Sequence, residues 1–152
     1  MSFHGCDLRK GRVSIPGQIY LVTTASYKRA QLFRTFHNAR IVARSIHFLA
    51  KNRQLESFAY VVMPDHLHWL FALDESSTLA EIISQLKRAT AYYINQRQQA
   101  QGRAVWQRGY HDRALRSEDS VREVARYIVG NPLRAGLVDR VGDYPFWDAV
   151  WL

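Results

Sequence analysis

The segment that restricts the fold most strongly is residues 61–73, which read VVMPDHLHWLFAL. An apolar run ends at Pro64 and Asp65, a pair that predicts a tight turn, and a strand-like alternation follows. Successive side chains of a strand point to opposite faces of a sheet. The alternation therefore predicts a core-facing set of apolar residues, made by Leu67, Trp69, Phe71 and Leu73.

The other face of the same strand carries two histidines, His66 and His68, followed by Leu70 and Ala72. Residues two apart on a strand are separated by roughly 6 to 7 Å, so one cation could contact both imidazoles. A third ligand would have to come from elsewhere in the chain. The alternative is that both histidines are simply exposed strand residues, since this spacing also arises by chance.

Composition indicates a single domain, residues 1–152, with a polyanionic partner. The chain has 152 residues, of which 47% are hydrophobic, and this suffices for one core. Lys and Arg number 21 against 13 Asp and Glu, and the net charge of +8 favours nucleic acid as a partner. We interpret residues 1–18 as a flexible basic arm and residues 137–152 as an aromatic C-terminal tail that packs on the domain.

The sequence also argues against several classes of protein. No apolar stretch approaches the roughly 20 residues that span a bilayer, and no signal sequence opens the chain, so we expect no membrane partner. Cys6 is the single cysteine, which excludes an internal disulfide and a cysteine-based zinc site. We therefore expect a cytoplasmic protein. The sequence does not distinguish a monomer from a dimer.

Residue periodicity predicts an α+β fold. Strands are expected at residues 19–24, 57–63, 66–73, 105–107 and 113–115. Helices are expected at residues 37–51, after a capping box at 78–81, after an N-cap at Ser117, and at 132–135. This order is typical of a ferredoxin-like antiparallel β-sheet with packed helices and an additional C-terminal helix. The two histidines would lie on a central strand.

Helical spacing separates the tyrosines into core and surface positions. Tyr93 falls on the apolar stripe of its helix, so it is expected in the core. Tyr127 lies about 120° from the centre of its own stripe, so it is not a plain core tyrosine. Asn131 follows at i+4 on the same side. Two imidazoles and this amide oxygen would give a divalent cation three ligands, with Tyr127 beside a bound phosphate. The alternative for Asn131 is an N-cap of the helix that starts at Pro132.

Three segments of the chain resemble motifs of one family, the single-tyrosine HUH transposases, and specifically the REP-associated tyrosine transposases. The segments are PDHLHW at residues 64–69, WQRGYHDR at 106–113 and YIVGNPLRAGLV at 127–138. The resemblance covers most of the chain, from Ile19 to Trp151. It agrees with the ferredoxin-like α+β fold expected from the periodicity.

The resemblance implies a nucleophile, Tyr127, and a metal site made by His66, His68 and Asn131. Many relatives have Gln or another His as the third ligand, so Asn131 departs from the commoner pattern. Such enzymes use Mg²⁺ or Mn²⁺ to cut and rejoin single-stranded DNA at or near repetitive extragenic palindromic (REP) hairpins, through a 5′-phosphotyrosine. The expected setting is the bacterial nucleoid.

Cationic and aromatic residues around these segments are candidate DNA contacts, through phosphate pairing and base stacking. They are Arg12, Lys28, Arg29, Lys87, Arg88, Arg108, Tyr110, His111 and Arg113. A solvated basic surface explains the same charges equally simply. The alternative to an enzyme is accordingly a non-catalytic basic ferredoxin-like domain that binds single-stranded DNA or RNA hairpins.

Overall fold

A computed structural model describes residues 17–53, 55–74, 76–116 and 120–150. The strands are β1 (Ile19–Ala25), β2 (Glu56–Met63), β3 (His66–Ala72), β4 (His111–Ala114) and β5 (Trp147–Ala149). The α-helices are α1 (Phe36–Asn52), α2 (Leu79–Arg97), α3 (Val121–Val129) and α4 (Asn131–Arg134). Short 3-10 turns occupy Tyr27–Arg29, Leu32–Arg34 and Val141–Asp143.

The five strands form one sheet in the order β4-β1-β3-β2-β5, and every neighbouring pair is antiparallel. The first four strands have the ferredoxin-like order, and β5 is added at the edge of β2. This confirms the predicted α+β class and the hairpin across Pro64 and Asp65. It also confirms that the two histidines lie on the central strand, β3.

Strand alternation produces a separate core on each face of the sheet. On one face, Leu67, Trp69 and Phe71 of β3 are fully buried under α1 and α2. On the other face, Leu70 is buried under α3, which contributes Ala125, Ile128 and Val129. Helix α3 therefore covers part of the face that carries the histidines, and this face is not open to solvent along its whole length.

The predicted core position of Tyr93 is wrong, since 54% of its surface is exposed. The polar residues Thr90 and Asn95 take the buried side of α2 instead. They can be buried because each finds a partner in the segment after the helix: Trp106 Nε1 donates to Thr90 Oγ1 at 2.8 Å, and Asn95 Nδ2 donates to Arg103 O at 2.8 Å. These hydrogen bonds satisfy the two polar groups, so the side of α2 that carries them can face inward with the apolar residues.

Two predicted elements begin or pair differently. Helix α3 starts at Val121, and its N-cap is Ser120, whose Oγ accepts from Glu123 N at 3.1 Å. The predicted cap, Ser117, lies outside the described residues. The strand expected at residues 105–107 is reduced to an isolated bridge between Trp106 and Ser26.

The aromatic tail packs as predicted, in part as strand β5. Tyr144 donates its hydroxyl proton to Val62 O at 2.5 Å, and Trp147 Nε1 donates to Val141 O at 3.0 Å. The first bond and the pairing of β5 with β2 hold the tail along the outer edge of β2, and the second bond closes a turn within the tail. The predicted basic arm lies outside the described residues, apart from Gly17 and Gln18. None of the described helices is both long and apolar enough to cross a membrane.

Candidate active site

The histidine pair lies on the exposed end of the α3-covered face. The ring centroids of His66 and His68 are 4.8 Å apart, and the ring planes are nearly perpendicular, at 84°. Both side chains are half-buried. The distance follows from the strand repeat, which places alternate residues on one face.

A carboxylate orients His66. Asp65 Oδ1 lies 2.7 Å from His66 Nδ1, and its other oxygen, Oδ2, pairs with Arg29 Nε at 3.1 Å. A carboxylate can only accept, so Nδ1 carries the hydrogen, and in the neutral ring Nε2 is the nitrogen with the lone pair. This arrangement, a histidine held by a carboxylate through one nitrogen, is common behind metal-ligating imidazoles.

His68 is oriented from the neighbouring strand. Its Nδ1 shares a hydrogen bond of 2.8 Å with Thr23 Oγ1, because Thr23 of β1 stands directly opposite in the ladder. Burial lowers the pKa of His68 to about 4, helped by the charges of His66, Arg134 and Arg29. The imidazole is therefore neutral at pH 7, which is the form that ligates metals.

Tyr127 and Asn131 lie on two short helices joined at Gly130. Tyr127 is on α3 and is 63% exposed, in agreement with its predicted position off the apolar stripe. Asn131 is the first residue of α4, whose N-cap is Gly130, so the alternative that Asn131 caps this helix is wrong. Its Oδ1 instead accepts from Arg134 Nη2 at 2.7 Å.

The residues present fit a divalent cation held by mixed ligands. The Nδ1 atoms of both histidines are hydrogen-bonded. The two Nε2 atoms, on one face of β3, are therefore the nitrogens left to ligate a metal. Within the described ranges, no three side chains of His, Cys, Asp or Glu cluster as a metal site. A third ligand drawn from the described residues would therefore be of another type, and the amide of Asn131 is of the right chemistry.

The predicted DNA contacts fall into two groups in space. His111 and Arg113 of β4 are exposed and pair in register with Thr23 and Leu21 of β1. These two positions in turn pair with His68 and Leu70, so directly opposed residues place His111 and Arg113 on the histidine face. Lys28 and Arg29 are also exposed, in the turn beside Asp65.

The second group lies along α2, on the other side of the sheet. A groove of about 540 Å³ between α2 and residues 103–110 is lined by Lys87, Arg88, Arg108 and Tyr110, among others. Lys87 Nζ donates to Gln107 O at 2.9 Å and to Gly109 O at 2.5 Å, so it supports the groove wall. The structure does not bring these residues together with the histidines.

The stacking role predicted for Tyr110 does not fit its position. The ring belongs to the hydrophobic core beneath the groove and is only 7% exposed. A base could not lie flat on it without displacing neighbouring side chains. Arg12 lies outside the described residues, and its contact with DNA stays a prediction.

Three residues near the site were not identified from the sequence: Thr23, Asp65 and Arg134. Asp65 directly precedes β3 in the sequence, so its position beside His66 could have been inferred from the sequence. Thr23 became relevant only through strand register, and Arg134 only through the path of the chain at Gly130. Neither has a local signal in the sequence.

Comparison with known proteins identifies relatives of the chain. Residues 16–131 match the profile of a family described as "Transposase IS200 like". The chain is 27% identical over 135 residues to the REP-associated tyrosine transposase of Escherichia coli strain K12, covering 86% of this chain and 74% of that protein.

Solved structures agree with this result. The structure of a REP-associated tyrosine transposase bound to a REP hairpin superposes with a TM-score of 0.73 and 25% identity, covering 90% of this chain and 79% of the other. A crystal structure from Deinococcus radiodurans shares the fold, with a TM-score of 0.53, 24% identity and coverage of 79% and 95%.

Proposed function

Since this chain belongs to the IS200-like transposase family, we propose that it is a metal-dependent endonuclease and strand transferase acting on single-stranded DNA at or near REP hairpins. The observation that carries the proposal is the histidine pair, with rings 4.8 Å apart and both Nδ1 atoms held by neighbouring side chains. The hairpin complex of a relative supports the choice of substrate.

His66 and His68, through Nε2, and Asn131, through its amide oxygen, would hold Mg²⁺ or Mn²⁺. A bound cation of this kind would polarise a non-bridging oxygen of the scissile phosphate. The amide oxygen of Asn131 has two lone pairs, so it can serve a ligand while still accepting from Arg134. The neutral state of His68 at pH 7, which follows from its lowered pKa, leaves its lone pair free for this role.

Tyr127 would act as the nucleophile. Its Oη forms a bond to phosphorus and the phenol proton passes to solvent, while the bond from phosphorus to the 3′-oxygen breaks. The 3′-oxygen takes up a proton and leaves as a hydroxyl, and the 5′ end stays on the tyrosine. Attack by another 3′-hydroxyl reverses the step and joins the strands. The exposure of Tyr127 supports this role, because a DNA backbone must reach the hydroxyl.

We expect the DNA to run along the histidine face. His111 and Arg113 line this face at its β4 edge, and Lys28 and Arg29 stand at the end of β1 next to Asp65. The lysine and the two arginines would neutralise phosphates on either side of the scissile bond. Lys87, Arg88 and Arg108 are still predicted to contact DNA, in the part of the DNA strand that extends beyond the histidine face.

The test is a covalent adduct. REP hairpin oligonucleotides carrying single-stranded flanks, labelled at the 5′ or the 3′ end, are incubated with the protein and Mg²⁺ or Mn²⁺. Only the fragment that retains the 3′ label should remain on the protein in a denaturing gel, and peptide mapping should find phosphotyrosine at Tyr127. Hairpin binding without any adduct would instead support the non-catalytic binding domain.

A further inference from the structure

One side chain at the end of α4 joins the proposed nucleophile to the proposed third ligand. The guanidinium carbon of Arg134 lies 4.0 Å from the centroid of the Tyr127 ring. Its Nη2 donates to the backbone oxygen of Tyr127 and, at 2.7 Å, to Asn131 Oδ1. Arg134 thus contacts both residues, although seven positions separate it from Tyr127.

The chain makes room for this contact at Gly130. A Cβ built at Gly130 would lie 2.8 Å from Arg134 Nη1, whereas the nearest backbone oxygen, that of Arg126, would be 3.3 Å away. Gly130 has φ −80° and ψ −5°, a conformation that any residue can adopt. The need for glycine here is therefore the space taken by the guanidinium rather than backbone freedom.

The charge of Arg134 has no carboxylate partner among the described residues. Its hydrogen bonds within those residues use Nη2 alone, so the N–H groups of Nη1 and Nε remain for a ligand. An anion beside the Tyr127 ring and the Asn131 amide would meet this cation.

We infer that Arg134 binds the scissile phosphate and positions Tyr127 against it, an inference that rests on the proposed function. A free N–H of the guanidinium is a charged donor, so it can bond an oxygen of the phosphate while Nη2 keeps its bonds to Tyr127 and Asn131. The phosphate gains negative charge on its oxygens in the transition state, so a fixed donor there accelerates the step more than it tightens binding. The stacked ring is held at the same time beside the phosphorus.

A purely structural role gives a different expectation. An arginine in the last turn of a helix also stabilises that turn through the helix dipole. In that case Arg134→Ala would lower stability, with any loss of cleavage following from unfolding. The inference instead predicts that folding and hairpin binding survive and that the chemical step slows.

The experiment measures single-turnover adduct formation on a labelled REP hairpin with Mn²⁺. Arg134→Ala should slow it by about 100-fold or more, as expected for loss of one transition-state donor. Hairpin affinity should stay within about threefold, since other cations carry most of it. Added guanidinium or methylguanidinium ions should restore part of the rate in Arg134→Ala and none in Tyr127→Phe. Arg134→Lys should recover little, because an ammonium lacks the planar set of donors that bonds Tyr127 O, Asn131 Oδ1 and a phosphate at the same time.

Gly130→Ala and Arg140→Ala complete the design. The new methyl group in Gly130→Ala displaces the Arg134 guanidinium without removing it. Adduct formation by this variant should therefore be slow, and added guanidinium ions should not raise its rate. Arg140 is exposed and pairs only with Asp143 among the described residues, so Arg140→Ala removes the same charge and should react at the wild-type rate.

Two results would overturn the inference alone while wild-type protein still forms the adduct. One is an Arg134→Ala rate equal to that of Arg140→Ala. The other is a slow Arg134→Ala protein that guanidinium ions do not rescue and whose thermal unfolding has shifted down in parallel, which would indicate the structural role. Wild-type protein that forms no adduct with any hairpin would overturn the proposed function, and this inference with it.

Discussion

Exposure does not separate Tyr127 from the other surface tyrosines, because Tyr92 and Tyr93 are 60% and 54% exposed. Their surroundings do. Tyr92 and Tyr93 contact each other at 5.2 Å on α2, away from the histidine face. Tyr127 has the guanidinium of Arg134 on its ring, and the same guanidinium bonds the amide of Asn131 one turn beyond. These neighbours, rather than accessibility, favour it as the nucleophile.

Tyr127→Phe should abolish the adduct and leave the fold intact. The change removes one hydroxyl from an exposed ring and keeps the stacking surface for Arg134, so unfolding free energy should change by less than about 0.5 kcal/mol. Denaturing gels report the adduct and urea unfolding reports stability. Tyr92→Phe is the matched control and should behave as wild type. An adduct that persists in Tyr127→Phe would assign the nucleophile to another residue.

Asp65→Asn should weaken metal binding without abolishing it. The amide is nearly isosteric, but it loses the charge that holds His66 Nδ1–H and pairs with Arg29. Loss of such an outer carboxylate costs roughly 10- to 100-fold in metal affinity. Mn²⁺ titration followed by electron paramagnetic resonance measures this directly. Asp74→Asn, on the loop after β3, is the control. Equal Mn²⁺ affinities in the two variants would show that Asp65 does not support the metal site.

His68 should make stability fall on acidification in the absence of metal. Its pKa is about 4 in the folded chain and 6.5 as the ordinary value, so the unfolded chain binds the proton first as the pH drops. The contribution is fully present above pH 6.5 and is lost towards pH 4, by up to ~3 kcal/mol. Urea unfolding with a chelator present, compared with His68→Gln, isolates this effect. Identical pH profiles would show that His68 titrates normally in the fold.

At the scale of elements, the site depends on α3 holding Tyr127 over one end of the sheet. This helix spans only Val121–Val129, so its ends influence a large part of it. Ser120 supplies its N-cap, and Thr78 does the same for the much longer α2, by accepting from Glu81 N at 3.2 Å. The two caps therefore offer a comparison between a helix that carries the site and one that does not.

Ser120→Ala and Thr78→Ala should each lower the unfolding free energy by about 1 kcal/mol, because each leaves one helix-terminal N–H without its acceptor. Amide hydrogen exchange should rise locally, in α3 for Ser120→Ala and in the first turn of α2 for Thr78→Ala. Adduct formation should slow only in the Ser120 variant. Equal slowing in both would mean that global stability, rather than α3, governs the reaction.

At the scale of the whole molecule, the net charge of +8 is spread over both faces of the sheet. Lys28 and Arg113 belong to the histidine side. Arg44 and Arg97 line a groove of about 1110 Å³ between α1 and α2, on the opposite side. Net charge alone therefore does not say which surface meets the DNA, and only the geometry of the site selects one.

The double variant Lys28→Ala with Arg113→Ala should reduce the salt dependence of hairpin binding, whereas Arg44→Ala with Arg97→Ala should not. Each phosphate contact contributes about 0.9 to the slope of log Kobs against log salt, so two lost contacts should lower the slope by roughly 2. Both variants remove two charges, which controls for net charge. A slope that falls only in the Arg44 and Arg97 variant would place the DNA on the side of the sheet that α1 and α2 cover.

The sequence by itself determined the features that depend on local periodicity. The alternation at residues 66–72 predicted the strand, its core face and the histidine face, and the capping box at Thr78 predicted α2. The angle of Tyr127 from the stripe of α3 predicted its exposure. In each case the pattern lies within one element, and the geometry of a strand or helix converts spacing directly into direction.

Tertiary structure decided which residues from distant parts of the chain meet. Thr23 meets His68 through the register of β1 and β3, and Arg134 reaches Tyr127 because α3 ends at Gly130. Tyr93 points outward, while Asn95 and Thr90 are buried and bond to Arg103 and Trp106 in the segment after α2. None of these is encoded in local spacing, because hydrogen-bond partners across a sheet or helix junction depend on where both segments lie. Periodicity determines which way a side chain points, and only the packing of distant segments determines which residue it contacts.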